Sequence, residues 1–204
     1  MIVDANNFTL ETLADIRAGY PFRGSIEPVR EGSVRVVQMR DVTPAGLIDW
    51  KNVVRTEVAG RRTPAWLASG DLLLVARGNR YYAVCIDHAP DLAVCGPHLF
   101  HLKIKPGTAV LPEFLAWQLN QPPLQRALGK AAQGSSQLSI SRTELEALPI
   151  SIPPLANQEN IVGLVRLALR ERDLFASLIR NRERQLETLA TTLSTSAARR
   201  EPRP

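Results

Sequence analysis

Cysteine is scarce in this sequence, with two residues among 204, at positions 85 and 95. Two are too few for the disulfide framework of a small secreted protein. Each cysteine is followed three positions later by a histidine, as Cys85-x2-His88 and Cys95-x2-His98. This spacing on its own permits a zinc site. Because Cys85 lies in an apolar run and His98 opens an alternating strand, ordinary buried thiols are the favoured interpretation, and we expect no metal.

Long apolar runs are also missing, since no segment reaches the roughly 20 residues needed to cross a bilayer. The first residues, MIVDANNFTLETLAD, have neither the basic segment nor the apolar core of a signal peptide. We therefore expect a cytoplasmic protein that does not associate with membranes.

Catalytic motifs are absent as well. The sequence has no nucleotide-binding glycine fingerprint, no P-loop and no Asn-Pro-Pro-aromatic motif of a methyltransferase. Its three histidines do not suggest a catalytic triad, and no cluster of carboxylates suggests a metal-dependent nuclease. We expect a protein without catalytic activity or a bound cofactor of its own.

The composition favours a basic protein with one globular domain. Apolar residues make up 45% of the sequence, the net charge is +5 and the pI is near 9.7. This content is enough to bury the core of one domain and to leave about forty residues for an appendage. The positive charge favours an anionic partner, of which nucleic acid is the commonest.

The order of the apolar patterns predicts an α+β domain over residues 1–153, rich in strands and with small helices. Residues 33–42 alternate as a strand does, and the apolar run 72–76 predicts a strand buried on both faces. From Pro112 onward the spacing becomes helical, with Pro122 and Pro123 interrupting it.

The segment 133–162 joins this domain to a different kind of sequence. Ser141, followed three residues later by Glu144, predicts a capping box that begins a short helix. Pro149 ends that helix, and the alternation after it predicts a brief extended segment before Pro153 and Pro154.

One long helix follows, predicted over residues 154–193, and the polar basic segment 194–204 is predicted to be a disordered tail. The helix would be roughly 55 Å long, so its apolar stripe needs a second helix to cover it. Polar residues 180–185 interrupt the stripe and predict a partly polar helix pair rather than a regular coiled coil. A helix folded back on its own domain is the alternative. The stripe comprises Ile161, Leu164, Ala168, Phe175, Leu178, Ile179, Leu186 and Leu189.

Three loops carry the side chains suited to binding DNA, which are arginine, lysine, short amides, hydroxyls and aromatic rings. For the first loop the alternative is a surface turn with its aromatic rings tucked inward, and for the second a plain hairpin with solvated arginines. The candidates are Tyr20, Phe22 and Arg23 in the first loop, Arg77, Asn79, Arg80 and Tyr81 in the second, and Lys130, Gln133, Ser135, Ser136 and Gln137 in the third.

These features together resemble one half of a specificity subunit of a Type I restriction-modification system. The most specific piece is IPPLANQENIV, which follows the GSSQLSIS loop. GYPFRG, VVQMRDV, GDLLLVARG and PEFLAWQLNQPPLQRAL agree with it in the family's order. The resemblance covers nearly the whole chain.

The resemblance implies a target recognition domain followed by a spacer helix. It also implies double-stranded DNA, methyltransferase subunits and, through them, restriction subunits as partners, with S-adenosylmethionine and ATP bound only by those partners. The chain departs from the family because it has one domain and one helix where the usual subunit has two of each. The simplest consequence is a homodimer that pairs its helices antiparallel and recognises a symmetric bipartite target.

The sequence is also compatible with two other functions. The chain could be a stand-alone dimeric DNA-binding regulator, or a protein interaction module whose helix docks a partner helix. Co-purification with a methyltransferase subunit distinguishes the first from a specificity subunit. The absence of any affinity for DNA would favour the second.

Overall fold

The computed structural model describes residues 6–43, 46–58, 63–78, 81–132 and 138–198. The chain divides into two units between Val162 and Gly163, inside the C-terminal helix, whereas the predicted boundary at residue 153 lies just before that helix begins. The elements in chain order are β1 (Asn6–Thr9), α1 (Leu10–Leu13), β2 (Ala14–Ala18), β3 (Val34–Val37), a 3-10 helix (Met39–Asp41), β4 (Val54–Thr56), β5 (Leu72–Val75), β6 (Ala83–Cys85), β7 (Ala93–Cys95), β8 (Leu99–Ile104), α2 (Pro112–Leu119), α3 (Pro122–Ala131), α4 (Arg142–Glu146), β9 (Pro149–Ile152) and α5 (Leu155–Ala198).

The described strands of the first unit form three small sheets. The largest is antiparallel, with the strand order β2-β8-β5-β6. In the second sheet, β3 pairs antiparallel with β4 and parallel with β7, while β1 and β9 form an antiparallel pair. Strands dominate the first part of the chain and helices the second, so the predicted α+β class with one long C-terminal helix is confirmed.

The central strand β5 confirms the prediction of a strand buried on both faces. Leu72 and Leu74 enter the main core, which the helices α2 and α3 help to form. Leu73 and Val75 point the other way, into a second apolar cluster. All four residues are buried because the strand alternates its side chains between two packed layers.

The strand predicted over residues 33–42 is shorter than expected. Strand β3 ends at Val37, and a 3-10 turn follows over Met39–Asp41. The carboxylate of Asp41 accepts a hydrogen bond from the Gln38 amide at 2.8 Å, and the Asp41 amide donates to the Gln38 carbonyl at 3.0 Å. This local capping competes with extended pairing, and Met39 is therefore only partly buried.

The predicted capping box of α4 is confirmed. The Glu144 amide donates to Ser141 Oγ at 3.2 Å, and the Ser141 amide donates to Glu144 Oε2 at 2.9 Å. After Pro149 the chain extends as β9, which buries Ile150 and Ile152 and pairs with β1. The segment between the domain and the long helix is thus fixed by a strand near the start of the chain.

Gln158 holds the start of α5 in the first unit. Its side chain is fully buried and makes three hydrogen bonds of 2.9 Å each. Its oxygen accepts from the Leu111 amide, and its nitrogen donates to the carbonyls of Ala109 and Pro153. Both N–H donors and the oxygen of the side-chain amide therefore have partners, and these bonds fix the start of the helix against the loop before α2.

The second unit begins at Gly163. From Gly163 the helix continues to Ala198, so residues 194–198 of the predicted tail are helical, and the rest of that tail lies outside the described residues. Nine of its large apolar side chains are between 58% and 69% exposed, whereas Val165 and Leu169 are half-buried. The nine are Leu164, Leu167, Leu174, Phe175, Leu178, Ile179, Leu186, Leu189 and Leu193. Ile161 differs from the predicted stripe because it packs against the main core of the first unit. No helix within the described ranges is long and apolar enough to cross a bilayer.

Candidate nucleic-acid interface

The first two predicted DNA loops leave the largest sheet at the same end. Strand β2 ends at Ala18, opposite Phe100, and β5 ends at Val75, opposite Leu99. Both neighbours run antiparallel to β8, which begins at Leu99. The loops that follow β2 and β5 therefore start at the same end of the sheet, on either side of the first residue of β8.

His98 connects these two loops. Its carbonyl accepts a hydrogen bond from the Ala76 amide at 2.8 Å, while the next carbonyl, of Leu99, accepts from the Gly19 amide at 2.9 Å. Its exposed ring has Nε2 at 3.3 Å from Nη1 of Arg77. His98 has a φ of 66°, which is unusual for a residue other than glycine. The sequence suggested His98 only as part of the Cys/His spacing, because nothing local indicated its contact with Arg77.

The second and third loops are joined at their bases. The Ile140 amide donates to the Ala76 carbonyl at 2.9 Å, and the Gly78 amide donates to the Leu138 carbonyl at 3.0 Å. Arg77 and Ser139 face each other as an isolated antiparallel bridge between these bonds. Residues 138–140, at the end of the third loop, therefore pair with residues 76–78, which follow β5 and begin the second loop.

The other ends of these two loops are also held together, by two side-chain amides that cover the edge strand β6. Gln125 Nε2 donates to the Tyr81 carbonyl at 2.9 Å, and Gln125 Oε1 accepts from the Tyr81 amide at 3.3 Å. Asn120 makes the same two bonds with Ala83, at 2.7 and 2.9 Å. These amides act as a neighbouring strand would, and they attach the helix before the third loop to the end of the second loop.

Replacing Gln125 by Leu is expected to lower the free energy of unfolding by about 2 kcal/mol, because the amide and carbonyl of Tyr81 and the carbonyl of Leu119 lose their partners. The matched control is Gln121→Leu, since the side-chain amide of Gln121 donates to the Trp117 carbonyl of the preceding helix and not to the second loop as far as the structure describes it. Urea titration at a fixed protein concentration measures both variants. Equal losses in the two would show that Gln125 has no special part in holding the loop.

In the first loop the aromatic rings lie partly inward. Tyr20 and Phe22 stack edge to face, with ring centroids 5.0 Å apart, and both pack on a small cluster formed by Val34, Val36 and Val94. Arg23 follows them and is exposed. The two rings therefore hold the loop against this cluster and stay partly exposed. The Arg23 side chain that follows them is accessible to solvent.

The loop residues differ in their availability to DNA. Arg23 and Lys130 are exposed, and Arg77 is half-buried. Tyr81 is a correction to the prediction: its ring is only 2% exposed and belongs to the main core, so it cannot stack on a base. The remaining predicted contacts lie outside the described residues, namely Asn79, Arg80, Gln133, Ser135, Ser136 and Gln137.

The two cysteines occupy different sheets, on β6 and β7. Burial raises the pKa of the Cys95 thiol to about 12, which disfavours the thiolate that zinc requires. Among the residues that the structure describes, no three His, Cys, Asp or Glu side chains form a group suited to a metal ion.

The comparisons identify what this fold resembles. No protein-family model matches the sequence, and no curated protein matches it either. Several solved structures match, among them three at 16–17% identity. They are the S subunit of a Type I restriction-modification system from M. genitalium (TM-score 0.59), a chain from a study of assembly and conformational transition in the type I R-M system (0.62), and the HsdS subunit from Thermoanaerobacter tengcongensis (0.57).

Each match covers most of this chain but less than half of the other chain. They include 87%, 93% and 82% of this chain, but only 42%, 44% and 38% of the other chains. The protein therefore has the fold of a Type I specificity subunit, and it spans less than half the length of the subunits that it matches.

Proposed function

We propose that this chain is a half-size specificity subunit that recognises DNA for a Type I restriction-modification complex. The observation that carries the proposal is the match of nearly the whole chain to less than half of such subunits. The chain itself binds no cofactor and catalyses no reaction. Methyltransferase subunits bind S-adenosylmethionine, restriction subunits bind ATP, and this chain directs both to a sequence.

The surface formed by the three loops is the proposed DNA contact. Arg23 and Lys130 are exposed, and Arg77 is positioned by His98 and by the bridge to Ser139. Arginine suits both phosphates and guanine edges because its guanidinium donates two parallel hydrogen bonds. Tyr20 and Phe22 support the first loop, and the amides and hydroxyls of residues 79 and 133–137 complete the proposed surface.

Self-association is the second part of the proposal. Two copies related by a two-fold axis, with their C-terminal helices antiparallel, would supply the two domains and two helices of a complete subunit. The exposed apolar side chains of the helix support this arrangement, because a stripe of this size needs a partner surface. A symmetric dimer would recognise two inverted half-sites separated by a fixed spacer.

Replacing both Arg77 and Arg80 by Ala should weaken DNA binding by about 10- to 100-fold and reduce the salt dependence by about two counterions. The control removes Arg180 and Arg184, which are exposed on the helix of the second unit. Fluorescence anisotropy with a selected DNA duplex at several salt concentrations measures both effects. Unchanged affinity across those concentrations would remove the second loop from the interface.

Reconstitution tests the proposal as a whole. The full chain is produced with its cognate methyltransferase subunit, and the purified complex is used to select duplexes from a random library. Stable co-purification and enrichment of one sequence are expected. Enrichment by the chain alone, without a complex, would indicate a stand-alone regulator. A complex with no DNA affinity would indicate a protein interaction module.

A further inference from the structure

Six large apolar residues of the C-terminal helix form two series with a period of eleven positions. Leu164, Phe175 and Leu186 form one series, and Leu167, Leu178 and Leu189 form another. Eleven residues complete about three turns at 3.6 residues per turn, so each series stays on one face of a nearly straight helix. The apolar stripe therefore keeps its eleven-residue period on both sides of the polar residues 180–185.

Two charged residues occupy the same repeat. Glu171 and Arg182 are eleven positions apart, and Leu193 continues their series. At 100° per residue they point between the two leucine-rich series, in the middle of the stripe. Both side chains are exposed in the single chain, where Arg182 Nη1 donates to Gln185 Oε1 at 3.3 Å. A helix that covers this stripe must therefore accommodate one acidic and one basic side chain.

The exposed large apolar residues from Leu164 to Leu189 are arranged symmetrically about the point midway between Ala176 and Ser177. Glu171 and Arg182 lie equally far from that point, on opposite sides of it. Leu164 and Leu189 are equidistant from the same point, as are Phe175 and Leu178. In an antiparallel homodimer, residues equidistant from the two-fold axis lie at the same level on the two helices.

We propose that two copies of this chain pair in one register, with the two-fold axis midway between Ala176 and Ser177. Glu171 of each copy then meets Arg182 of the other, giving two reciprocal ion pairs within an apolar seam. This inference rests on the proposed homodimer and adds its register. The paired segment from residue 164 to residue 189 is about 38 Å long at 1.5 Å per residue.

The flank of the seam carries a further complementary pair. In this register, Arg172 of one copy and Glu183 of the second copy lie on the same side of the seam. Their levels along the helix differ by about 3 Å, since each residue rises 1.5 Å. Long side chains span this difference easily, so the flanks add attraction to the same alignment.

Other arrangements place like charges together or leave charges opposite apolar residues. A parallel pair in register would set Glu171 against Glu171 and Arg182 against Arg182. An antiparallel pair shifted by one turn would bring these side chains against leucine or phenylalanine. Because an unpaired charge in a seam is costly, the two residues select one orientation and one alignment.

Charge reversal tests the register by sedimentation equilibrium of the full chain. Glu171→Arg and Arg182→Glu alone should each raise the dimer dissociation constant on the order of 100-fold, because two like-charged contacts form per dimer. The double variant, which carries both substitutions, restores opposite charges and should return the constant to within about tenfold of wild type. Circular dichroism checks that every variant keeps its helix.

The controls are Asp173→Arg and Arg180→Glu, which make the same charge changes at exposed positions on the opposite face of the helix. They should change the dimer constant by less than about threefold. A monomeric wild-type chain would overturn the proposed homodimer itself. A dimeric wild type would overturn only the register if the single reversals have no effect or if the double variant stays as weak as they are.

Discussion

Replacing Gln158 by Glu is expected to lower the free energy of unfolding of the first unit by about 3 to 5 kcal/mol. The carboxylate keeps the acceptor for the Leu111 amide but loses both donors. It then faces the carbonyl oxygens of Ala109 and Pro153 at the positions where the amide nitrogen donates at 2.9 Å. Gln158 is fully buried, so water cannot compensate for the repulsion.

Urea titration at constant protein concentration measures this loss. The matched control is Asn160→Asp, the same change from amide to carboxylate at an exposed position on the next part of the helix, which should stay within about 0.5 kcal/mol of wild type. The Gln158→Glu deficit should shrink in mildly acidic solution, where a protonated carboxyl regains one donor. Similar losses in both variants would mean that the three bonds of Gln158 do not anchor the helix.

Replacing Phe175 and Leu178 together by Asp is expected to convert the proposed dimer to a monomer, with a dissociation constant raised by more than about 1,000-fold. Both side chains are nearly 60% exposed in the single chain and lie closest to the proposed two-fold axis. Each contributes twice to the seam, so the substitution removes four large apolar groups and adds four charges. Sedimentation velocity at micromolar concentration measures the change.

The control for this substitution is Ser177→Asp, which adds a charge between the same two positions but on the opposite face of the helix. It should leave the dimer intact. The thermal unfolding of the first unit should be similar in both variants, since these residues belong to the second unit. A dimer that survives the Phe175 and Leu178 substitutions would place self-association on another surface.

Local signals predicted several features of the fold well. The Ser141 and Glu144 capping box formed as expected because its two hydrogen bonds span only three residues. The apolar run after Gly70 identified the central strand β5, and the prolines at 153 and 154 marked the start of the long helix. Each of these depends on neighbours in the sequence, which a pattern records directly.

Features that depend on distant contacts were not visible in the sequence. Tyr81 and Tyr82 are adjacent, and only the packed fold decides that Tyr81 enters the core. In the sequence, Gln158 is a polar residue in the first turn of a helix like many others. Two of its hydrogen-bond partners, Leu111 and Ala109, lie more than forty positions earlier in the chain. The bridge between Arg77 and Ser139 connects two loops that are far apart in the chain, and no local sequence pattern indicates that they pair.

We propose that symmetric self-association lets one recognition domain and one helix act as a complete specificity subunit. Methylome sequencing of a cell that carries this chain with its cognate methyltransferase is the most direct test. We expect methylation at a palindromic motif, with two inverted half-sites and a constant spacer. An asymmetric motif, or a single half-site methylated without its inverted copy, would contradict it.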